Sequence, residues 1–457
     1  MEQAPSTTLT PGPKIGVHFI DPQADQFIAP MYVCRRDKEG NSWVDKQDGI
    51  RVVRVTTKGP KTLRIADAKE QGIQFDPVAF ATPFRKSGEI IARKTPNLDS
   101  VLSRSAQLIE TNANVTARDW LALLRSLVTI MFLFRDSIWV RAISIFTGPP
   151  GSGKSTIARS IGQLLFGSGF RVTGFPSKQR DFDTALGKTP YLVLDNLEDA
   201  PRWLCDRLST IATGGDIVQR VLYKDSQQIF LRPDVFLAIT AVMPAWLRGD
   251  VLDRALIFKC ALPANDRRLL DSEVQRYILQ HRGNALYELL LLGTFILRGL
   301  KEADLPESRD RLVEFEHLGQ AIAKAVGGDK EVARFQRGFR AARRQRFALI
   351  RDFDDELDAL LSLLTSEGQV DLSALGWMEA IADHLGKNTT NEIFSRRDIS
   401  GLGNWFKSLK KRSSGLVKWT RLKRTRNEPR RTRGELLERL DGLDDCDQAP
   451  DSNETEK

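Results

Sequence analysis

A glycine-rich segment, GPPGSGKS at residues 148–155, constrains the fold of this chain more than any other feature. It follows the β-branched and aromatic run AISIF (142–146), which is typical of a strand. It precedes TIARSIGQLLF (156–166), whose apolar residues recur at helical spacing. A glycine-rich turn between a strand and a helix lets backbone N–H groups surround phosphate oxygens, and the helix adds the positive end of its dipole. The segment therefore predicts a phosphate-binding loop inside an α/β fold.

The residue types in this loop predict ATP and Mg²⁺ as its ligands. Lys154 would reach the β- and γ-phosphates, the Ser155 hydroxyl would bind Mg²⁺, and Thr156 would lie on the α-phosphate side. A chance glycine-rich turn is the alternative, but it leaves the register of strand, lysine, hydroxyl and helix unexplained. The predicted ATP-binding residues are Gly148, Pro149, Pro150, Gly151, Ser152, Gly153, Lys154, Ser155 and Thr156.

The run YLVLDN (191–196) supplies an acid that could complete a metal site with Ser155. Asp195 ends an apolar strand-like run, where a carboxylate can hold the water shell of Mg²⁺; a strand that merely ends at a polar turn is the alternative. Most hydrolytic proteins of this class have a second acid next, but here the residue is Asn196, which orients water and cannot take a proton. Glu198 or Asp199 could substitute. The sequence predicts ATP binding and leaves the rate of hydrolysis open.

Two polar residues farther along have positions suited to the γ-phosphate. Thr240 ends the apolar run DVFLAIT, where a sensor of that phosphate would lie. Arg254 begins the next apolar run and could reach the nucleotide of a neighbouring subunit as an arginine finger. An ion pair with Asp250 or Asp253 is the alternative for Arg254. The candidate catalytic residues are Lys154, Asp195, Asn196 and Arg254.

Composition favours an ordinary soluble protein of several domains. A chain of 457 residues with 41% hydrophobic residues can form about two to four domains with real cores. The four cysteines lie far apart and there are only four histidines, which argues against a zinc site or a disulfide framework. The N-terminus has no signal pattern and the apolar runs are too short to span a bilayer. We expect a cytoplasmic protein without a membrane partner.

The pattern along the chain predicts an α/β protein whose parallel-sheet core has helices on both faces. Residues 111–262 contain five apolar strand-like runs that alternate with helical segments, as in a P-loop ATPase core. The pattern over residues 1–110 predicts a small β-rich domain of unknown role, and the pattern over residues 263–350 predicts a helical lid. Residues 351–427 predict a winged-helix-like basic module, and 428–457 predict a disordered acidic tail.

The order of the motifs around this core resembles that of a known group. After the glycine-rich loop come FPSKQRDFDTAL, LVLDNLEDAPRWLCDRLSTIATGG, QRVLYKDSQQIFLRP and LRGDVLDRALIF. Over roughly residues 110–325 the chain resembles ATP-binding, helicase-like proteins of phages and mobile elements, related to superfamily 3 helicases and to the C-terminal domains of primase-helicases. The resemblance implies an AAA+-like ATPase ring with nucleotide at subunit interfaces, and it supports the roles given to Lys154, Ser155, Asp195, Asn196 and Arg254. Thr240 departs from the asparagine usual in superfamily 3.

Two further implications concern DNA and a partner. The runs VQRVLY and QQIFL flank KDS (224–226), which predicts a β-hairpin with a basic tip. In the resembling helicases such a hairpin grips one strand in the channel, so Arg220 and Lys224 are candidate nucleic-acid contacts; a solvated surface hairpin is the alternative. Residues 1–110 show no primase acids, so any priming activity would lie on another chain.

The C-terminal part is strongly basic before it becomes acidic. Residues 407–433 contain twelve Lys or Arg and one acid, whereas 434–457 contain nine acids and two bases. Three helical patterns and the strand-like LVKWTRLKR predict the winged-helix-like module, which would bind DNA phosphates in a salt-sensitive way or bind a protein instead. The predicted nucleic-acid contacts there are Arg396, Arg397, Lys410, Lys411, Lys418 and Arg421. An arginine stripe at 334–344 would bind nucleic acid or be balanced by acids downstream.

These features predict an ATP-dependent DNA-binding motor of the helicase-like type, acting as a homo-oligomer, with ATP and Mg²⁺ as cofactors. The alternative is a nucleotide-controlled DNA-binding switch or loader that hydrolyses ATP slowly because Asn196 replaces the usual acid. A small-molecule kinase is disfavoured by the basic helical C-terminal part and the lack of an evident acceptor site.

Overall fold

The computed structural model describes residues 34–39, 41–73, 75, 78–85, 97–176, 178–187, 189–220, 228–231, 233–244, 246–263, 270–299, 311–351, 355–385, 402–403, 406–407, 409–410, 413, 417–422 and 430–436. These residues form two compact units. The first comprises the chain up to residue 246 together with 254–345. The second comprises 247–253 together with the chain from 346 onward.

The first unit begins with an antiparallel four-stranded sheet of β1 (Cys34–Arg36), β2 (Ser42–Asp45), β3 (Arg51–Thr56) and β4 (Gly59–Arg64). Three helices follow: α1 (Ile65–Glu70), α2 (Asn97–Ala106) and α3 (Ala117–Thr129). The sheet agrees with the β-rich pattern of this region, and its residues lie in the same compact unit as the core that follows. Val44 and Val55 of the sheet and Leu98 of α2 belong to the same buried cluster as the core helices.

The centre of this unit is the predicted α/β core. Its elements are β5 (Ile143–Thr147), α4 (Lys154–Phe166), β6 (Thr173–Gly174), α5 (Gln179–Leu186), β7 (Tyr191–Asp195), α6 (Arg202–Ala212), β8 (Ile217–Arg220), β9 (Gln228–Leu231) and β10 (Phe236–Thr240). After α7 (Gly249–Leu252), which belongs to the second unit, comes β11 (Ala255–Lys259). Continuous apolar runs predicted these strands because both faces of a parallel sheet are buried.

The order of the strands explains how distant residues meet. The five parallel strands lie in the order β11-β5-β10-β7-β6, so β10 separates β5 from β7. The carboxyl ends of β5, β7 and β10 therefore share one edge of the sheet, and the segments that follow them lie side by side there. The strands β8 and β9 form a separate antiparallel hairpin, as predicted. Its tip, including Lys224, is outside the described residues.

Two long helices occupy the region predicted to be a helical lid: α8 (Asp271–Gly299) and α9 (Val313–Arg351), which is broken at Gly327 and Gly328. The arginine stripe of α9 is partly engaged within the protein. Arg337 donates to Asp119 at 2.8 Å and buried Arg343 donates to the backbone oxygen of Ala255 at 2.7 Å.

The second unit, besides α7, contains α10 (Asp355–Glu367), β12 (Gln369–Ser373), α11 (Ala374–His384), β13 (Val417–Arg421) and β14 (Arg431–Leu436). The strands form an antiparallel sheet in the order β12-β14-β13. The second of the three helical patterns in the sequence, VDLSALGWMEAIADHL (370–385), is not helical throughout, because its first residues belong to β12 and only the rest forms α11. Arg431–Leu436 is the central strand of the sheet and not part of a disordered tail. Gly434 allows the rings of Trp377 and Trp419 to lie against β14. Most of the third predicted helix is outside the described residues.

Among the described residues, no helix is long and apolar enough to cross a membrane.

Candidate functional site

The glycine-rich loop lies between β5 and α4, as the sequence predicted. Gly148, Gly151 and Gly153 have φ values of +134°, +80° and +85°, in the region where glycine is favoured. At Gly148 a side chain is also excluded sterically, because a Cβ atom would lie 2.3 Å from the backbone oxygen of Cys260. The loop therefore passes close against β11 before it turns into α4.

Lys154 is the first residue of α4, and its side chain folds back over the loop. Its Nζ donates to the backbone oxygens of Gly148 at 2.7 Å and of Pro149 at 2.9 Å. The ammonium group is thus held beside the N-terminal end of a 13-residue helix, where the helix dipole also favours an anion.

The next residue, Ser155, meets the end of β7. Ser155 Oγ donates to Asp195 Oδ1 at 2.6 Å, and Thr240 Oγ1 donates to the same oxygen at 2.6 Å. Two hydroxyls, one from α4 and one from β10, therefore converge on one carboxylate oxygen at the end of β7. A hydroxyl and a carboxylate are oxygen ligands of the kind that Mg²⁺ takes, alongside waters and phosphate oxygens. Among the described residues, no cluster of three or more His, Cys, Asp or Glu side chains could hold a metal ion.

The turn after Asp195 carries the residues considered for water activation. Asn196 is exposed and has a φ of +53°, a left-handed conformation that asparagine tolerates better than most residues. Glu198 accepts hydrogen bonds from the backbone N–H groups of Val242 at 2.5 Å and Met243 at 3.1 Å. The carboxylate of Asp199 accepts from the N–H of Ala200. Glu198 therefore ties the turn after β7 to the segment after β10.

A cleft of about 750 Å³ is lined at one end by Lys154, Ser155, Asp195 and Asn196, together with glycines of the loop. Other lining residues lie on or beside α2 and α8. They include the apolar Val101, Leu108, Leu262, Val274 and Ile278, which we call the apolar end of the cleft, and the polar Arg104, Ser105 and Gln107. Asp271 also lines the cleft, and it accepts from Thr156 Oγ1 at 3.0 Å and pairs with Arg159 at 3.2 Å. The apolar end was not predicted, because such residues at helical spacing are indistinguishable in sequence from ordinary core positions.

The structure does not bring Arg254 into this cleft. Its backbone oxygen accepts from the N–H of Ile143, at the start of β5. Of the two acids considered as its partners, Asp250 pairs with Arg248 and Asp253 pairs with Arg346. Its assignment as an arginine finger stays a prediction.

The predicted nucleic-acid contacts are only partly described. Lys224, Arg396, Arg397 and Lys411 are outside the described residues, and Arg220 ends β8.

In the second unit the exposed sheet face carries balanced charge. Lys418 lies across from Glu435, and Arg433 pairs with Asp371 at 2.9 Å. Lys410 packs over the rings of Phe406 and Trp419, and burial, with a smaller effect of Arg421, lowers its pKa. At one end of β13 and β14, three of the described side chains are exposed and basic: Arg421, Arg430 and Arg431. Sequence reasoning missed the last two because it placed them at the border of a tail.

Comparison with known proteins gives one informative match. Residues 111–336, just under half of the chain, match the family model of the actinomycete integrative conjugative element replication protein. No curated protein matches the chain significantly. An apo structure of the NrS-1 C-terminal region shares 12% identity and covers 86% of this chain and 96% of that one, with a TM-score of 0.34. A second has 11% identity, coverages of 85% and 94% and a TM-score of 0.36. These TM-scores are too low to support an argument. Through residues 111–336 the chain is similar to a replication protein of a mobile element.

Proposed function

We propose that this chain binds ATP with Mg²⁺ in the cleft and acts on DNA as an ATP-dependent replication protein of a mobile element. The observation that carries the proposal is the convergence of Lys154, Ser155 and Asp195 at the start of α4, directly after a loop with three glycines at positive φ. The family match at residues 111–336 supports the replication role.

The two ends of the cleft suit the two ends of a nucleoside triphosphate. Loop N–H groups and the α4 dipole would bind the phosphates, and the Lys154 ammonium would turn from the loop carbonyls to a phosphate oxygen. Ser155 Oγ and Asp195 would hold Mg²⁺, and the metal ion would neutralise part of the phosphate charge. The apolar end would bury the nucleobase. A cleft of about 750 Å³ lies within the usual size range of small-molecule sites.

The turn after β7 favours slow hydrolysis in the isolated subunit. Asn196 cannot accept a proton, and the Glu198 carboxylate is engaged with two backbone N–H groups. This observation supports the second candidate function, a nucleotide-controlled DNA-binding switch. The deciding experiment measures ATP binding and steady-state ATP turnover with and without single-stranded DNA. Strong stimulation by DNA supports a motor. Tight binding with negligible turnover in every sample supports a switch, and no binding of ATP contradicts both.

The apolar end of the cleft can be tested separately. Leu262 lines the cleft and is 53% exposed, so Leu262→Asp should leave the fold intact. We expect ATP affinity to fall about tenfold, because the nucleobase loses an apolar contact worth on the order of 1 kcal/mol or more and a negative charge is added. Titration with a fluorescent ATP analogue measures the effect. Leu270→Asp is the matched control, since Leu270 is 67% exposed and is not among the residues lining the cleft. Equal affinities of the two variants would contradict the placement of the base.

The DNA-binding part of the proposal predicts a contrast within one sheet. Double replacement of Arg421 and Arg431 with alanine should weaken DNA binding and lower the slope of log affinity against log salt by about 2, because each arginine would contact one phosphate. Lys418→Ala should have a smaller effect, since Lys418 lies across from Glu435. Fluorescence anisotropy at several salt concentrations measures both. A larger effect of Lys418→Ala would place the contact on the sheet face instead.

A further inference from the structure

Thr240 occupies the position where the sequence predicted a sensor of the γ-phosphate, but its hydroxyl is already engaged. The side chain is fully buried at the carboxyl end of β10, between β5 and β7. Oγ1 donates to Asp195 Oδ1 at 2.6 Å and accepts from the backbone N–H of Asn196 at 3.0 Å. A hydroxyl has one hydrogen to donate. A phosphate oxygen would need that hydrogen, so Thr240 cannot serve it and Asp195 together.

We propose that Thr240 is a positioning residue for Asp195: its hydroxyl holds the carboxylate in the orientation that Mg²⁺ requires. The inference rests on the proposed nucleotide site and adds a role that the sequence did not indicate. A hydroxyl donating to a carboxylate is a charge-assisted hydrogen bond, which is stronger and shorter than a neutral one. Such outer partners fix the direction of a metal ligand.

Two details of the geometry support this role. Ser155 and Thr240 both donate to Oδ1, and no hydrogen bond from the described residues reaches Oδ2. Thr240 thus fixes the rotation of the carboxylate and leaves Oδ2 able to accept from the water shell of a bound Mg²⁺. The same hydroxyl accepts from the backbone N–H of Asn196, so it also links the carboxylate to the residue that follows it.

Backbone hydrogen bonds reinforce the pairing between the two strand ends. The N–H of Leu197 donates to the backbone oxygen of Thr240 at 2.9 Å. The side-chain carboxylate of Glu198 also accepts from the backbone N–H groups of Val242 and Met243. These bonds do not need the Thr240 hydroxyl. Removing only that hydroxyl should therefore loosen Asp195 while the turn keeps its place, which makes the side chain separately testable.

The experiment measures the Mg²⁺ concentration that gives half-maximal binding of a fluorescent ATP analogue. Thr240→Val removes the hydroxyl and keeps the branched shape. We expect it to raise that Mg²⁺ concentration about 10- to 100-fold, with little change in binding at saturating Mg²⁺. Thr240→Ser keeps the hydroxyl and should behave like the wild type. Thr240→Ala, which also lacks the hydroxyl, replaces the valine variant if that variant does not fold.

A γ-phosphate sensor predicts a different result. Its loss would lower the affinity for ATP relative to ADP, with the Mg²⁺ requirement unchanged, and this outcome would overturn the inference. An unchanged Mg²⁺ requirement together with an unchanged ratio of ATP to ADP affinity would overturn it as well. If the wild type binds no nucleotide at any Mg²⁺ concentration, the proposed function itself fails, which is distinguishable from failure of the role given to Thr240.

Discussion

Asp234→Asn is expected to lower the free energy of unfolding by about 3–5 kcal/mol, because it removes the charge that balances two buried guanidinium groups. Asp234 pairs with Arg135 at 3.2 Å and with Arg141 at 2.7 Å, and all three side chains are almost fully buried. Burial lowers the pKa of Arg141, and the neighbouring Asp234 carboxylate opposes that shift. An amide of the same shape keeps the packing but removes the main charge partner of Arg141, leaving the smaller effect of Asp136.

Urea unfolding followed by tryptophan fluorescence measures this change. Asp329→Asn is the matched control: Asp329 pairs with Lys324, but its side chain is 91% exposed, so the same substitution should change stability by less than about 0.5 kcal/mol. Asp234 precedes β10 and therefore lies at the opposite end of that strand from Thr240 and the candidate site. Under conditions in which Asp234→Asn remains folded, we therefore expect its affinity for nucleotide to equal that of the wild type. Coincident transitions for the two variants would mean that the buried cluster does not depend on the charge of Asp234.

The parallel core and one end of the candidate site could be predicted from the sequence because both depend on residues that are close together in the chain. YLVLD and ALIFK are continuous apolar runs, and the loop between β5 and α4 combines glycines with a lysine and a hydroxyl at fixed spacing. The place of Asp195 in the site was predictable because this residue ends the strand-like run YLVLD. The strand order, once observed, brings these residues to one edge of the sheet.

The parts that could not be predicted depend on contacts between residues far apart in sequence. The apolar end of the cleft is lined by Leu108, which follows α2, and by Val274 and Ile278 of α8. None of these side chains differs in type from a core residue. The same holds for β14, which the surrounding charges of the sequence marked as part of a tail. Its alternation of buried Thr432 and Gly434 with outward arginines is too short to outweigh that composition.

The role of Thr240 shows the same limit at a single residue. The sequence placed a hydroxyl at the correct strand end, but it could not show which acceptor receives the only hydrogen of that hydroxyl. Asp195 is the acceptor because β10 lies directly beside β7 in the sheet. Hydrogen-bonding capacity, and not residue type, therefore separates a positioning role from a sensing role.

Lys154→Ala is expected to have the largest effect on nucleotide binding. Loss of the ammonium should cost about 2–5 kcal/mol, or a fall of about 30-fold or more in affinity for ATP, because the group lies at the N-terminal end of α4 where the phosphates would lie. Lys154 now donates to two loop carbonyls on exposed or half-exposed residues, so water can replace it there and the fold should survive.

Binding of a fluorescent ATP analogue and ATP turnover should be measured together on this variant, with Lys324→Ala as the control, since Lys324 is exposed on α9 and is not among the residues lining the cleft. If turnover in the wild type rises with single-stranded DNA and both quantities fall in Lys154→Ala, ATP drives work on DNA. If the wild type binds ATP tightly without turnover and Lys154→Ala loses the binding, the nucleotide acts as a ligand that switches DNA affinity, for which Asn196 and the engaged Glu198 provide the physical reason. Undiminished affinity in Lys154→Ala would contradict the placement of the phosphates at the start of α4.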